Sequence, residues 1–525
     1  MISENRGEKI EGDLKDKKAL EKAILREKAN GTPDIEIGRK YGVTFRYIEK
    51  TITKSKGINV SVLKGAKKIK RLEPKDFKEE RTTVWSFRRR GNWATHSGEY
   101  RGNWSPYIPR NVILKYSKPG ETVLDYFCGA GTTAVEAKLL GRRCIALDIN
   151  PQAIELAKRN INFPVNGQPS LFGTGKLSQK IYEQKLRVGD ARNLKSLSDN
   201  SIDLICAHPP YANIINYTDG TEGDLSFFDI DEFLMEMSKV ARESFRVLKP
   251  GKQCAILIGD TRKKKHIIPL GFMLIDVYLK AGFKLRELII KRQHNCKTTG
   301  FWYANSIKYN FLLLAHEYLP IFEKPVSSKM IKEREGKSYA GTIVPTMEKL
   351  TQKRELREFE TTTVWIFPEK DFEKLLNKNV VDRYWNGHGY SSINLGSQSG
   401  KTEEFSRKNG SKKNSLVFIK SPFLKQKIFL QNIENYLKTL RNVVDSRLPG
   451  LTKGGFIVIQ TEDVRLNGFV QPLAKRILDT LTYDSLWLKE IVFVIKESGK
   501  RDEDADENKH LKIAHQYLII YEVKK

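Results

Sequence analysis

Cysteine is scarce and odd in number: five residues (128, 144, 206, 254 and 296) in 525, with no CxxC pair. That excludes a disulfide framework and a thiolate zinc site, and predicts reduced, buried thiols. No apolar run reaches the ~18 residues a membrane-spanning helix requires. The opening MISENRGEKIEGDLKDKK lacks the apolar centre of a secretory signal. Together these absences predict a cytoplasmic chain with no membrane partner. Acidic residues are in deficit, 63 Asp plus Glu against 92 Lys plus Arg, a formal net charge of +29. An excess of that size favours a polyanionic partner, because neutralised phosphates release counterions. Hydrophobic content of 39% and aromatic content of 10% fit folded material, and the length has room for two to four cored domains.

The pattern along the chain divides it into five stretches: 1–60, 61–80, 81–324, 325–358 and 359–525. The first is helical. Within it Ile35, Gly38, Gly42 and Val43 have the spacing of a helix and tight turn ahead of a basic helix, TFRYIEKTITK. A DNA-type helix-turn-helix and a plain helical hairpin both fit. A charged linker, 61–80, follows. From 81 to 324 strand-like and helix-like segments alternate: ETVLDYF, TTAVEAKLLG, RRCIALDI, NPQAIELAKRNI, SIDLICA, a long helix to VLKPG, QCAILIGD, GFMLIDVYLKAG, KLRELIIKRQ and IKYNFLLLAHEY. Such alternation predicts an α/β fold with a mostly parallel sheet and helices on both faces. Residues 325–358 read as a connection.

The last stretch partly repeats the third. TTVWSF (82–87) returns as TTVWIF (362–367), and AHEYL (315–319) as AHQYL (514–518). The pattern Asp260, Arg262, Pro269, Leu270 returns as Asp463, Arg465, Pro472, Leu473. The offset between partners is 280 at the first landmark and 203 at the middle one, so the second copy lacks 77 residues between them.

In the first copy that interval holds VLDYFCGAGTTAVEA (123–137), a strand running through Gly129 and Gly131 into a helix. Such a turn lets backbone approach a ligand, which then meets the unpaired N–H groups of a helix N-terminus. Asp148 ends the next strand, 23 residues after Asp125, where a carboxylate can hold both hydroxyls of a ribose. No third glycine completes a dinucleotide fingerprint, and no Gly-Lys-Ser/Thr follows this turn to make a triphosphate loop. Further on, AHPPYANIINY (207–217) follows the strand IDLIC as a stiff, exposed turn.

Taken with DYFCGAGTT, ALDI and AHPPY, residues 81–324 resemble the S-adenosylmethionine-dependent amino-methyltransferases of DNA, which act on N6 of adenine or N4 of cytosine. NWSPYIPRNVILKYSKPGETVLD is similar to that family's cofactor segment ahead of the glycine loop, and the order of motifs matches one permuted arrangement of the family. The resemblance implies a Rossmann-like methyltransferase sheet, with 359–525 a degenerate methyltransferase-like α/β domain retained for DNA recognition or packing. It implies S-adenosylmethionine held by Pro106, Asp125, Phe127, Gly129, Gly131, Thr132, Asp148 and Asp190. His208, Pro209, Pro210 and Tyr211 would form the catalytic turn. The Pro209 carbonyl and the residue-208 side chain would accept the two N–H bonds of the target amine, and Tyr211 would stack on the base or support the sulfonium. The base must first leave the duplex.

His208 stands where the family mostly carries Asp, Asn or Ser. Only neutral imidazole accepts a hydrogen bond, so activity is expected to fall as pH drops through its pKa, already visibly at pH 5. ANIINYT leans toward the cytosine N4 members, with adenine N6 the other choice. In the repeat, Lys420, Ser421, Pro422 and Phe423 replace the four turn residues, and no glycine loop precedes them. The implied partner is double-stranded DNA in a prokaryotic restriction-modification setting, near the nucleoid. With no nuclease motif in the chain, cleavage would fall to a separate endonuclease. Two other readings stay open: a transfer-RNA guanine-N2 methyltransferase, and a DNA-binding protein on an inactive methylase scaffold.

Overall fold

A computed structural model describes residues 69–165, 181–294, 299–326, 333–345, 360–395, 402–407, 413–420, 427–498 and 510–524. It also describes most of 19–51, and isolated positions within these ranges are excepted. Cys296, Ser421, Pro422, Phe423 and most of TFRYIEKTITK lie outside the described residues.

Two eight-stranded sheets carry the molecule. The first contains β1 (Val84–Ser86), β2 (Thr122–Asp125), β3 (Arg143–Asp148), β4 (Gln184–Val188), β5 (Ile202–Ala207), β6 (Leu248–Ile256), β7 (Lys284–Arg292) and β8 (His316–Glu323), in the order β1-β7-β8-β6-β5-β2-β3-β4. Only β8 runs antiparallel to its neighbours. Successive β5 residues point to opposite faces. Leu204 and Cys206 join a core with helices α1 (Tyr107–Tyr116), α2 (Thr132–Leu139) and α3 (Pro151–Ile161). Ile205 and Ala207 join another with α4 (Ile230–Val247) and α5 (Leu270–Lys280). The expected α/β sheet with helices on both faces is therefore present, and all six residues of β5 are buried.

One strand begins later than expected. In IKYNFLLLAHEY the first residues end helix α6 (Thr299–Lys308), and the strand starts only at His316. The apolar run between them is buried without extending β8: Leu313 makes a lone bridge to Thr362, and Glu490 binds the Leu312 N–H. Its hydrophobicity records a contact with the second sheet.

That sheet contains β9 (Val364–Pro368), β10 (Gly389–Leu395), β11 (Thr402–Arg407), β12 (Asn414–Lys420), β13 (Leu451–Thr461), β14 (Leu486–Ser498) and β15 (Gln516–Val523). The order is β14-β15-β13-β12-β10-β11, with β9 and the two-residue strand Val344–Pro345 both along β14. Helices α7 (Phe372–Tyr384), α8 (Leu430–Arg447) and α9 (Leu473–Thr480) pack on it. Position by position the order repeats that of the first sheet as far as β10, which sits where β2 sits. There the two part. After β2 the chain makes the glycine turn, a helix and a parallel strand; the next described strand after β10, β11, is antiparallel to it.

The sheets meet by exchange of equivalent contacts. The Thr83 N–H donates to the Lys512 carbonyl, and the Thr363 N–H to the Leu313 carbonyl, each at 2.9 Å. Thr83 Oγ1 meets His515 Nδ1 at 2.9 Å, and Thr363 Oγ1 meets His316 Nδ1 at 2.7 Å. Arg262 pairs with Glu490, and Arg465 with Glu287. Every motif repeated in the sequence thus lies at this junction, in the isologous pattern of a two-fold dimer interface.

At the N-terminus, residues 19–28 and Asp34–Tyr41 are helical, and Gly42 closes the second helix at φ 63°. Ile24, Ile37 and Ile48 form a small core there. Among the described residues, no helix is long and apolar enough to cross a membrane.

Candidate active site

The carboxyl ends of β2, β3 and β5 open on one cleft, the position where open α/β sheets bind ligands. On one wall lies the turn after β2. Gly129 and Gly131 take φ values of +48° and +81°, in the left-handed region. A Cβ on Gly131 would stand 2.9 Å from the Cβ of Ala157 on α3, so only glycine lets helix and turn pack this closely. Phe127, Cys128 and Gly129 line the cleft.

Asp148 lines it too. Its Oδ2 accepts from the Gly129 N–H (2.8 Å) and its Oδ1 from the Asn150 N–H (2.9 Å). Burial pushes its carboxyl up to about 6, against the pull of those two donors. Asp125 is placed differently. It is buried beneath the turn, outside the cleft, with Oδ1 on the Phe127 N–H (3.0 Å) and Oδ2 on the Thr133 hydroxyl (2.5 Å). Burial drives it up to about 7. It shapes the turn from below. Thr132 and Pro106 also stand back from the cleft: Thr132 Oγ1 donates to Asn103 Oδ1 (2.5 Å), and Pro106 caps α1. Asp190 lines the cleft, but its carboxylate is already bound by Arg192, which also holds Glu236.

Residues not singled out from the sequence complete the walls: Asn103, Trp104 and Tyr217, within segments already noted, and Tyr100 and Asp224, outside them. The aromatic density of EYRGNWSPY was the available signal. This segment is clamped from behind by a buried carboxylate. Glu136 on α2 accepts from Trp93 Nε1 (2.6 Å) and Arg110 Nη1 (2.9 Å) and meets His96 Nε2 at 2.7 Å. Burial opposes its charge, yet His96 and Arg110 hold its pKa below the usual value.

The turn after β5 forms the other wall. His208 and Pro210 line the cleft. The imidazole stacks on Trp104 (centroids 5.5 Å apart, 22° between planes). Tyr211 does not line the cleft; it packs on Gly259, and its hydroxyl meets His208 Nε2 and Glu317 Oε1, each at 2.9 Å. Burial lowers the His208 pKa to about 4. Lys291 and Arg90 act in the same sense, while Glu317 and the Gly102 carbonyl oppose them. His208 is therefore neutral well below pH 6, as an acceptor must be. The same shift moves the expected loss of activity from near pH 5 to near pH 4.

Two walls, one from a glycine turn with a strand-end carboxylate and one from a Pro-Pro-Tyr turn, define a methyltransferase-type α/β domain, and a profile described as "Methyltransferase domain" matches residues 117–268. The profile described as "DNA methylase" (N6/N4 class) matches residues 7–159 and 202–415, more than half of the chain, which therefore belongs to that family. The chain is similar to the Type II methyltransferase M.SmaI of Serratia marcescens, with 35% identity over 89 residues, 17% of this chain and 29% of that protein. A tRNA (guanine(10)-N2)-dimethyltransferase of Methanothermobacter thermautotrophicus is 31% identical over 113 residues, 21% of this chain and 29% of that protein. A solved SAM-dependent methyltransferase of Methanosarcina mazei aligns with a TM-score of 0.28 and 18% identity, covering 41% of this chain and 98% of that one. The chain spans less than half the length of the curated relatives named here.

Proposed function

We propose that this protein transfers a methyl group from S-adenosylmethionine to an exocyclic amino group of a base flipped out of duplex DNA. Cytosine N4 is favoured over adenine N6. One observation carries the reading: the His208–Pro210 turn and the Gly129–Asp148 wall face each other across a single cleft. The cleft suits the cofactor. Asp148 has no cationic partner among the described residues and stands at the strand end where ribose hydroxyls are bound. Gly129 leaves room that a Cβ, 3.0 Å from Tyr100, would fill.

When bound, S-adenosylmethionine supplies an electrophilic methyl group on its sulfonium. The protein's part is to make the amine a nucleophile. An aromatic amine delocalises its lone pair into the ring. Acceptors on both N–H bonds, placed off the base plane, return that density to nitrogen. Neutral His208 and the Pro209 carbonyl are the two acceptors. Trp104 and Tyr217 supply aromatic surface for a flat base, and Asp190, paired with Arg192, would hold the cofactor adenine.

The N-terminal helices and the second sheet are proposed to read or grip DNA, in keeping with the +29 net charge. On this reading the protein is cytoplasmic and nucleoid-associated, and cleavage belongs to a separate endonuclease. Tritium transfer from labelled S-adenosylmethionine to duplex DNA, with transfer RNA in parallel, tests the assignment. Label on DNA is expected; label on transfer RNA alone, or on neither, overturns it. Single-molecule sequencing of DNA from expressing cells then gives base and site.

A further inference from the structure

Behind the proposed acceptor lies a chain of part-buried polar groups that the catalytic turn does not itself explain. His208 Nε2 meets the Tyr211 hydroxyl at 2.9 Å, that hydroxyl meets Glu317 Oε1 at 2.9 Å, and Glu317 Oε2 accepts from Lys291 Nζ at 2.7 Å. Glu317 lies on β8 and Lys291 directly opposite on β7, so sheet register fixes the pair. Glu317 is 8% exposed.

A phenol has one proton to give. With Glu317 ionised, that proton goes to the carboxylate, and the phenol oxygen can then only accept from the ring. On the Tyr211 side the ring proton then sits on Nε2 and Nδ1 keeps the lone pair, the Gly102 carbonyl being the other acceptor that faces the ring. Were the ring proton on Nδ1 instead, Nε2 would need the Tyr211 proton, and a buried carboxylate would face an oxygen lone pair. Resting on the methyltransferase reading of the cleft, we infer that Glu317 is a positioning residue: through Tyr211 it fixes the tautomer in which His208 accepts from the target amine. Lys291 keeps Glu317 charged for that task. Burial raises the carboxyl, but Lys291, His208 and Tyr211 together bring it down to about 2.

The second sheet shows the same frame without the device. AHQYL aligns with AHEYL, so Gln516 stands for Glu317. The strand register puts Val494 opposite Gln516, where Lys291 stands opposite Glu317. Lys420 occupies the place of His208 and turns to Glu373 on α7. The interface residues of that strand pair are kept, and the relay is gone.

Histidine-selective ¹⁵N NMR of the free protein at pH 7 reads the tautomer without turnover, with His208 assigned from the signal lost in His208→Asn. Nε2–H is expected; a proton on Nδ1 overturns the inference. In Glu317→Gln the amide can donate to Tyr211, which then donates to Nε2 and moves the ring proton to Nδ1. We expect kcat to fall about 100-fold, with KM for DNA and for S-adenosylmethionine within about threefold. In the His208→Asn background, whose amide oxygen needs no tautomer, the same change should cost under about threefold. The groups facing His208 are Glu317 on β8, Lys291 on β7, Arg90, Tyr211 and the Gly102 carbonyl. Removing Lys291 raises both the Glu317 and His208 pKa values, so Lys291→Met should move the acid limb of the rate profile upward from near pH 4. If Glu317→Gln keeps wild-type kcat and Lys291→Met leaves that limb unmoved, Glu317 is structural only. A wild-type protein that transfers no label overturns the proposed function instead, while the NMR result still judges the tautomer.

Discussion

The two sheets share a strand order and a junction, and part where the first sheet carries its cleft. Up to the central strands β2 and β10 they match. The first half then spends its chain on a turn, a helix and a parallel strand, and gains the wall that holds Asp148. In the second half β10 pairs instead with the antiparallel β11, and the described residues there include no such wall. What both halves keep is what each gives the other: Thr83 and Thr363, His316 and His515, Arg262 and Arg465. What differs is chemistry: His208, Glu317 and Lys291 against Lys420, Gln516 and Val494. The repeat keeps the interface residues and lacks the groups proposed for catalysis.

The largest expected effect separates the halves at equivalent positions. His208→Ala should lower kcat on DNA about 1,000-fold, as loss of a polar group acting in the transition state does. Cofactor affinity measured by calorimetry should change little, since the Gly129–Asp148 wall is untouched. A kcat within tenfold of wild type would break the comparison, because the acceptor would then lie elsewhere.

Next in size is the junction. Glu287 is fully buried and its partner Arg465 nearly so, with 4% of its side chain exposed. Glu287→Gln leaves that guanidinium buried and unpaired, and should cost about 3 kcal/mol in urea unfolding. The counterpart Glu490→Gln should cost less, about 1–2 kcal/mol. Its Arg262 is more open to water, and burial already holds the Glu490 carboxyl above its usual range despite that arginine. Equal losses would mean that the exchange of contacts is symmetric in energy as well as in geometry.

The contrast also marks what could be read from sequence. The glycine turn, Asp148 and the Pro-Pro-Tyr turn were legible because each is a contiguous strand-to-turn signature. So was the repeat. Its meaning was not, since Thr83 and His515 are 432 positions apart and nothing local says they touch. For the same reason Asp125, which has the residue type of a cofactor ligand, proved to be tied up under the turn by Thr133 and Phe127. Glu317 stood in plain view within AHEYL, but only the pairing of β8 with β7 puts it beside Lys291 and under Tyr211. The apolar run FLLLA read as strand because burial, whatever its cause, leaves the same pattern in sequence.

A smaller effect concerns acid. Burial holds His515 down to about 3, against about 6.5 in an unfolded chain. Between those values the unfolded state binds the extra proton, so stability is full above pH 6.5 and falls as pH drops toward 3. From pH 6.5 to pH 5 this residue alone accounts for about 2 kcal/mol. His515→Gln should flatten unfolding free energy over that window by that amount, whatever else titrates. An unchanged slope would show that acid reaches the junction by another group.

The smallest effect is the sharpest test of the degenerate half. Lys420 sits where His208 sits, but its ammonium lies 3.3 Å from the exposed carboxylate of Glu373. Exposed pairs of this kind contribute roughly 0–1 kcal/mol. Lys420→Ala should therefore leave stability within that range, and methyl transfer within about twofold at low salt. Salt titration of DNA binding then decides what the half is for. A shallower salt slope in Lys420→Ala means that this end of the second sheet lies on phosphate. An unchanged slope means that the sheet serves the first half only by packing against it.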